Sequence, residues 1–176
     1  GNYPVGTDNV ALGNTALDSV EAGGINNVAI GDNAGTAITT GDDNVAVGKD
    51  ALDANTIASG NTAVGKDALG ANTEGSSNVA LGFRALCTNT TATSNVAVGD
   101  SALRCNTTGA LNIAVGQDAL RKNTTAANNT AVGSSSLACN TTGCQSTAVG
   151  YFALNANTTG NCNTAVGASA GGAITT

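Results

Sequence analysis

Apolar and polar positions along this chain follow one short order that keeps returning. Asn61-Thr62-Ala63-Val64-Gly65 leads into two variable polar residues, then Ala68-Leu69, two small residues and Asn72-Thr73; at Asn78 the order begins again. The leading asparagine stands at 9, 27, 44, 61, 78, 95, 112, 129 and 163, with Ser146 in the remaining place. The first interval is 18 residues and every later one is 17. So short a period is too small for a two-helix repeat and suits one turn of a β-solenoid. Unit position three is Ala in all ten copies; position four is Val, Ile or Leu, and position two is Val, Ile or Thr. These β-branched, extended residues predict a short strand. Strand neighbours face opposite ways, so position three points to one side and positions two and four to the other. Neither side carries a charge in any copy, and a strand apolar on both sides is expected to be covered on both. One face lines the solenoid interior. The other calls for a second surface, most economically another copy of the chain.

The rest of the unit fits the same coil. Position five is Gly ten times, from Gly13 to Gly167, which predicts a backbone corner of positive φ. Positions six and seven vary freely and read as a solvent-facing corner, whereas the Ala and Leu of positions eight and nine turn inward as filler. Position twelve is Asn in seven successive copies: Asn55, Asn72, Asn89, Asn106, Asn123, Asn140 and Asn157. At ~4.8 Å per coil these amides predict a hydrogen-bonded ladder, each donating to the next, and the anchor asparagines predict a second one. Such columns fix a register that uniform coils otherwise let slip. The expected fold is all-β: a single-stranded-coil parallel β-solenoid, or β-roll, of about ten 17-residue coils.

Residues 1–176 read as one repeat domain from a longer protein, with 1–8 closing a preceding coil and 9–176 holding ten repeats, the last incomplete. Solenoid ends ordinarily carry caps, and none is visible here. The copies starting at Asn27 and Asn163 share Ala-Gly-x-Ala-Ile-Thr-Thr, eight coils apart, which hints at a longer superrepeat.

Composition narrows the chemistry. The apolar residues are mostly Ala and Val, with 2% aromatics, no Trp and no Met; side chains this small fill only a thin interior. A net charge of −6 argues against nucleic acid and against a polybasic contact with a membrane surface, and no apolar run approaches the length of a membrane-spanning helix. Without a histidine, Ser-His-Asp and Cys-His constellations and imidazole metal sites cannot be assembled. No recurring carboxylate pair or glycine-rich phosphate loop is present. The chain is expected to be no enzyme and to hold no cofactor and no metal.

Cys87 and Cys105 lie 18 residues apart, as do Cys144 and Cys162. In a 17-residue coil that offset gives a Cα separation of about 5.8 Å, compatible with disulfides in an oxidising setting, with Cys139 unpaired. The competing reading is small, buried residues in Ala-like places. The Asn-x-Thr pattern for glycosylation occurs at Asn89, Asn106, Asn123, Asn140, Asn157 and Asn128; coincidence with the repeat is the plainer explanation.

The units Asn163-Thr164-Ala165-Val166-Gly167 and Asn106-Thr107-Thr108-Gly109 resemble repeats of phage and virus-like tail-fibre proteins, often placed ahead of a self-cleaving chaperone domain. The core from Asn27 to Gly31 is similar to the head repeats of trimeric autotransporter adhesins, whose unit is shorter. The resemblance implies a left-handed parallel β-roll, side-by-side homotrimers and an extracellular place on a virion or cell surface. The function expected is a structural or adhesive shaft or head, with Phe83, Arg84, Tyr151 and Phe152 as candidate contacts to a host receptor or glycan. A self-assembling filament of end-to-end stacked chains is the alternative. Ice binding through the threonine column from Thr39 to Thr175 is a second.

Overall fold

The computed structural model describes residues 8–20 and 23–176; the suggested end of a preceding coil falls almost wholly outside them. Ten strands of three residues each follow the repeat: β1 (Val10–Leu12), β2 (Val28–Ile30), β3 (Val45–Val47), β4 (Thr62–Val64), β5 (Val79–Leu81), β6 (Val96–Val98), β7 (Ile113–Val115), β8 (Thr130–Val132), β9 (Thr147–Val149) and β10 (Thr164–Val166). They form one parallel sheet in sequence order. Register never slips: Ala46 sits beside Ala63, Ala63 beside Ala80, and so on up the column. The chain is a parallel β-solenoid whose coil is one strand and a long, hydrogen-bonded return.

The return is built from overlapping tight turns. In the fourth coil Ala68 N–H donates to Gly65 O (3.3 Å), Gly70 N–H to Asp67 O (3.3 Å) and Asn72 N–H to Leu69 O (3.1 Å). Turns whose third residue has positive φ need that residue to enter the left-handed region. Asp67 (φ 59°) and Leu69 (φ 51°) both do. Gly65 stands at φ 132°, and a Cβ there would come within 2.5 Å of Gly82 O in the next coil. The strand-ending glycine is thus required by conformation and by the closeness of stacked backbones.

Leucine at positive φ is unfavourable by about 1–2 kcal/mol, yet eight copies place it there, from Leu17 to Leu154. What outweighs the strain is burial. Leu52, Leu69, Leu86, Leu103, Leu120, Leu137 and Leu154 are fully enclosed, and enclosing a leucine side chain contributes about 1.5–3 kcal/mol. The two copies without it use Gly35 and Gly171, which adopt the same φ, at 58° and 66°. Both also replace the asparagine at position twelve by Ile38 or Ile174. A Cβ on Gly35 would lie 3.0 Å from Ile38 Cδ1 and 3.2 Å from Leu17 Cδ2. The isoleucine occupies the room that leucine fills elsewhere.

The core is therefore a narrow column of the Ala of position three, the Ala of position eight and the Leu of position nine. The single serine in that column, Ser136, donates its hydroxyl to Gly133 O at 2.8 Å, so its burial leaves no donor open.

Candidate functional site

Two asparagine ladders flank the apolar column. Asn106 Nδ2 donates to Asn89 Oδ1 in the preceding coil (3.1 Å) and to Gly109 O in its own (2.9 Å). The direction differs from the expectation of donation to the following coil. The anchor column works another way: Asn95 Oδ1 accepts the backbone N–H of Asn112 (2.9 Å) while Asn95 Nδ2 reaches Gly109 O (2.9 Å). Both ladders therefore meet on the carbonyl of position fifteen. Ser146 keeps the anchor ladder going, its hydroxyl oxygen accepting from Asn163 N–H at 3.2 Å. Asn61 Nδ2 is the one buried side-chain atom without a partner among the described residues, and nothing in the structure explains it.

Position fifteen alternates between Gly and Ala from Gly41 through Ala58, Gly75, Ala92, Gly109 and Ala126 to Gly143, with Gly160 ending the two-coil rhythm. A Cβ on Gly75 would fall on Ala92 O, and one on Gly109 on Ala126 O. Ala58, Ala92 and Ala126 are themselves buried. The glycines leave room for the carbonyl oxygen of the next coil and for the ladder amides, as Gly143 does beneath Gly160 O.

The sheet's outer face is formed by positions two and four. Inward Ala63, Ala80 and Ala97 are fully buried, but Val64 is 39% and Ile113 42% exposed in mid-rod. Twenty side chains, two per coil over ten coils, make this face, and none is charged. The second covering expected for this strand is not supplied by the chain itself. An uncharged band on the order of several hundred Å² marks interaction surfaces in soluble proteins.

The corner of positions six and seven carries eight of the eighteen charged side chains and three of the four aromatics. Lys49 Nζ bonds Asp32 at 2.6 Å, which holds that carboxyl below the usual range. Lys66 Nζ (2.9 Å) and Arg84 Nε (3.4 Å) share Asp67 Oδ2, with the same effect on Asp67. The candidate contacts Phe83, Arg84, Tyr151 and Phe152 are all exposed here. Phe83 and Arg84 lie together, Tyr151 and Phe152 lie together, and four coils separate the pairs.

The cysteine pairs are not bridged; all five cysteines are free. Backbones do run side by side, with Cys162 N–H donating to Cys144 O at 3.0 Å. The sulfur atoms take separate partners. Cys144 Sγ accepts Ala127 N–H (3.4 Å), Cys162 Sγ faces Gln145 Oε1 (3.7 Å), and Cys87 Sγ–H points to Arg104 O (3.7 Å). Burial pushes the Cys87 thiol up.

Other sequence candidates resolve by burial. Asn89, Asn106, Asn123, Asn140 and Asn157 are fully buried ladder members, while Asn128 is exposed. In the threonine column of position thirteen, Thr107 Oγ1 donates to Thr124 O (3.1 Å) and Thr124 Oγ1 to Thr141 O (3.1 Å). Those hydroxyls donate within the rod. No helix among the described residues is long and apolar enough to cross a membrane. Comparison of the chain with protein-family models, with curated proteins and with solved structures returned no match.

Proposed function

We propose that this chain is a structural segment, shaft or head, of an extracellular fibre such as a viral tail fibre or a surface adhesin, and that it works without catalysis. Copies associate side by side through the outer faces of their sheets, as homotrimers, to give a stiff rod that holds a binding tip away from its particle. The observation that carries this reading is the open, uncharged sheet face at positions two and four, with Val64 and Ile113 exposed in mid-rod. Its side chains repeat at ~4.8 Å along the axis, and another copy of the same face has the same repeat, so the two interlock along their whole length as stacked sheets do. Stiffness follows from the ladders, since bending would stretch amide hydrogen bonds in every coil. Resemblance of the units to tail-fibre and adhesin repeats points the same way. Electron microscopy of the purified chain tests the reading: discrete bundles about 50 Å long, ten coils at ~4.8 Å each, are expected. Long filaments would favour end-to-end stacking instead.

A further inference from the structure

Three of the chain's four aromatic side chains, Phe83, Tyr151 and Phe152, stand on the single ridge made by positions six and seven. Nothing in the core asks for them there: they are exposed, Tyr151 by 59%. Position seven is also a demanding place for a large residue. Every copy holds it at φ between 54° and 59°. Eight copies answer with Asp, Asn, Ser or Thr, and the two exceptions are Arg84 and Phe152. Asn and Asp tolerate that conformation through short polar side chains; bulky residues do so only under strain. Both exceptions adjoin an aromatic at position six. Local rules broken twice, in the same place in the coil and each time beside a ring, are a signature of function.

The surroundings suit sugars. Arg84 Cζ lies over the Phe83 ring at 4.9 Å from its centroid and Lys66 Nζ over it at 5.7 Å, cation–π contacts that bring donors onto the ring face and that a stacking sugar displaces or shares. Tyr151 and Phe152 pair at 4.4 Å between centroids, tilted by 53°. Between the two posts the ridge presents Asp100, Ser101, Gln117, Asp118, Ser134 and Ser135, a run of acceptors and hydroxyls with no apolar residue. The posts are about 19 Å apart, four coils at ~4.8 Å. One coil step is close to the length of one pyranose in an extended chain, so a glycan lying along the axis meets the same pair of positions once per sugar.

We propose that this ridge is a track for a linear, uncharged polysaccharide, with Phe83 and the Tyr151–Phe152 pair as stacking platforms at its ends. Side chains between the platforms bond the sugar hydroxyls; Asp118 is paired there with Arg121 at 3.3 Å, which among the described residues leaves Asp100 as the unpaired carboxylate of the run. The proposal rests on the extracellular reading but not on how the copies associate.

Calorimetry on the whole chain tests it, using di- and hexasaccharides of β-1,4-glucan, β-1,4-mannan and α-1,4-glucan, with a hyaluronan hexasaccharide as the acidic comparison. A neutral hexasaccharide spans both platforms and a disaccharide only one, so at least one hexasaccharide is expected to bind about tenfold or more tighter than its disaccharide. Phe83→Ala, and separately Tyr151→Ala with Phe152→Ala, should each weaken the hexasaccharide by about tenfold without changing the melting curve. Failure of every neutral hexasaccharide to bind at millimolar concentration overturns the track. So does preference for hyaluronan, indifference to both sets of substitutions, or a fall in solution mass when the aromatics are removed, since the rings would then be a contact between copies. A monomeric rod that still binds the hexasaccharide would sink the association and leave the track standing.

Discussion

A buried asparagine at position twelve is tied on three sides, and that sets what its loss should do. Asn106 donates to Asn89 Oδ1 and Gly109 O and accepts from Asn123 Nδ2 at 2.8 Å. Asn106→Ala removes these bonds and leaves dry polar atoms behind, so it should destabilise by about 2–4 kcal/mol in urea unfolding. Asn106→Asp keeps the shape and the acceptor but replaces the donor by a carboxyl facing two oxygens. Burial among acceptors raises the folded-state pKa, so the folded state holds its proton to higher pH than the unfolded chain does. Stability of this variant should therefore fall as pH rises through the unfolded value, with its deficit smaller near pH 4 than at pH 7. A deficit unchanged between those conditions would contradict the description of the ladder. Both columns were legible from the sequence because asparagine recurs at fixed places. The sense of donation and the shared acceptor at position fifteen were not, because residue identity does not say which way an amide points. The left-handed leucines were hidden for a different reason: leucine avoids that region, and only the exchange to Gly35 and Gly171 gave it away.

At the scale of the coil, positions nine and twelve pack together: Leu with Asn in seven coils, Gly with Ile in two, and Leu17 with Val20 in the first. Gly35→Leu alone should clash with Ile38 and destabilise by about 1–3 kcal/mol. Adding Ile38→Asn opens the room leucine needs and extends the ladder by one coil, with Asn55 Nδ2 as a ready donor that now bonds only Ala58 O. The double variant should be more stable than the sum of its parts predicts, and a double-mutant cycle reads this directly; strict additivity would separate the two positions. Gly109→Ala probes the other coupling. Alanine is native at 92 and 126 in the same column, yet a Cβ at 109 falls on Ala126 O. It should lower the melting temperature by several degrees, as about 1–2 kcal/mol does for a chain of this size. Strand, glycine corner and inward Ala-Leu were readable in the sequence because period-two alternation and an invariant glycine have few structural meanings. The alternation of coils at position fifteen requires comparing pairs of coils, so one averaged unit conceals it. The cysteines show a related gap: an 18-residue spacing brings Cys144 and Cys162 to hydrogen-bonded neighbouring backbones but does not say where their side chains point.

Taken whole, the molecule is a rod closed on its inside and open along one face. Among the described residues the thin core and two ladders satisfy almost every buried polar side chain within one chain. The outer sheet face has no covering of its own, and the proposed fibre role rests on copies associating through it. Sedimentation equilibrium of the purified chain measures that association most directly. A species of three times 16.8 kDa, about 50 kDa, is predicted for the native chain. Val64→Lys with Val98→Lys, both outward on the sheet, should reduce the mass to that of one chain and lower the melting temperature by the stabilisation that association supplies, with the β-sheet spectrum kept. A native chain that sediments as a monomer at every concentration, with a mass the lysines do not alter, would contradict the account.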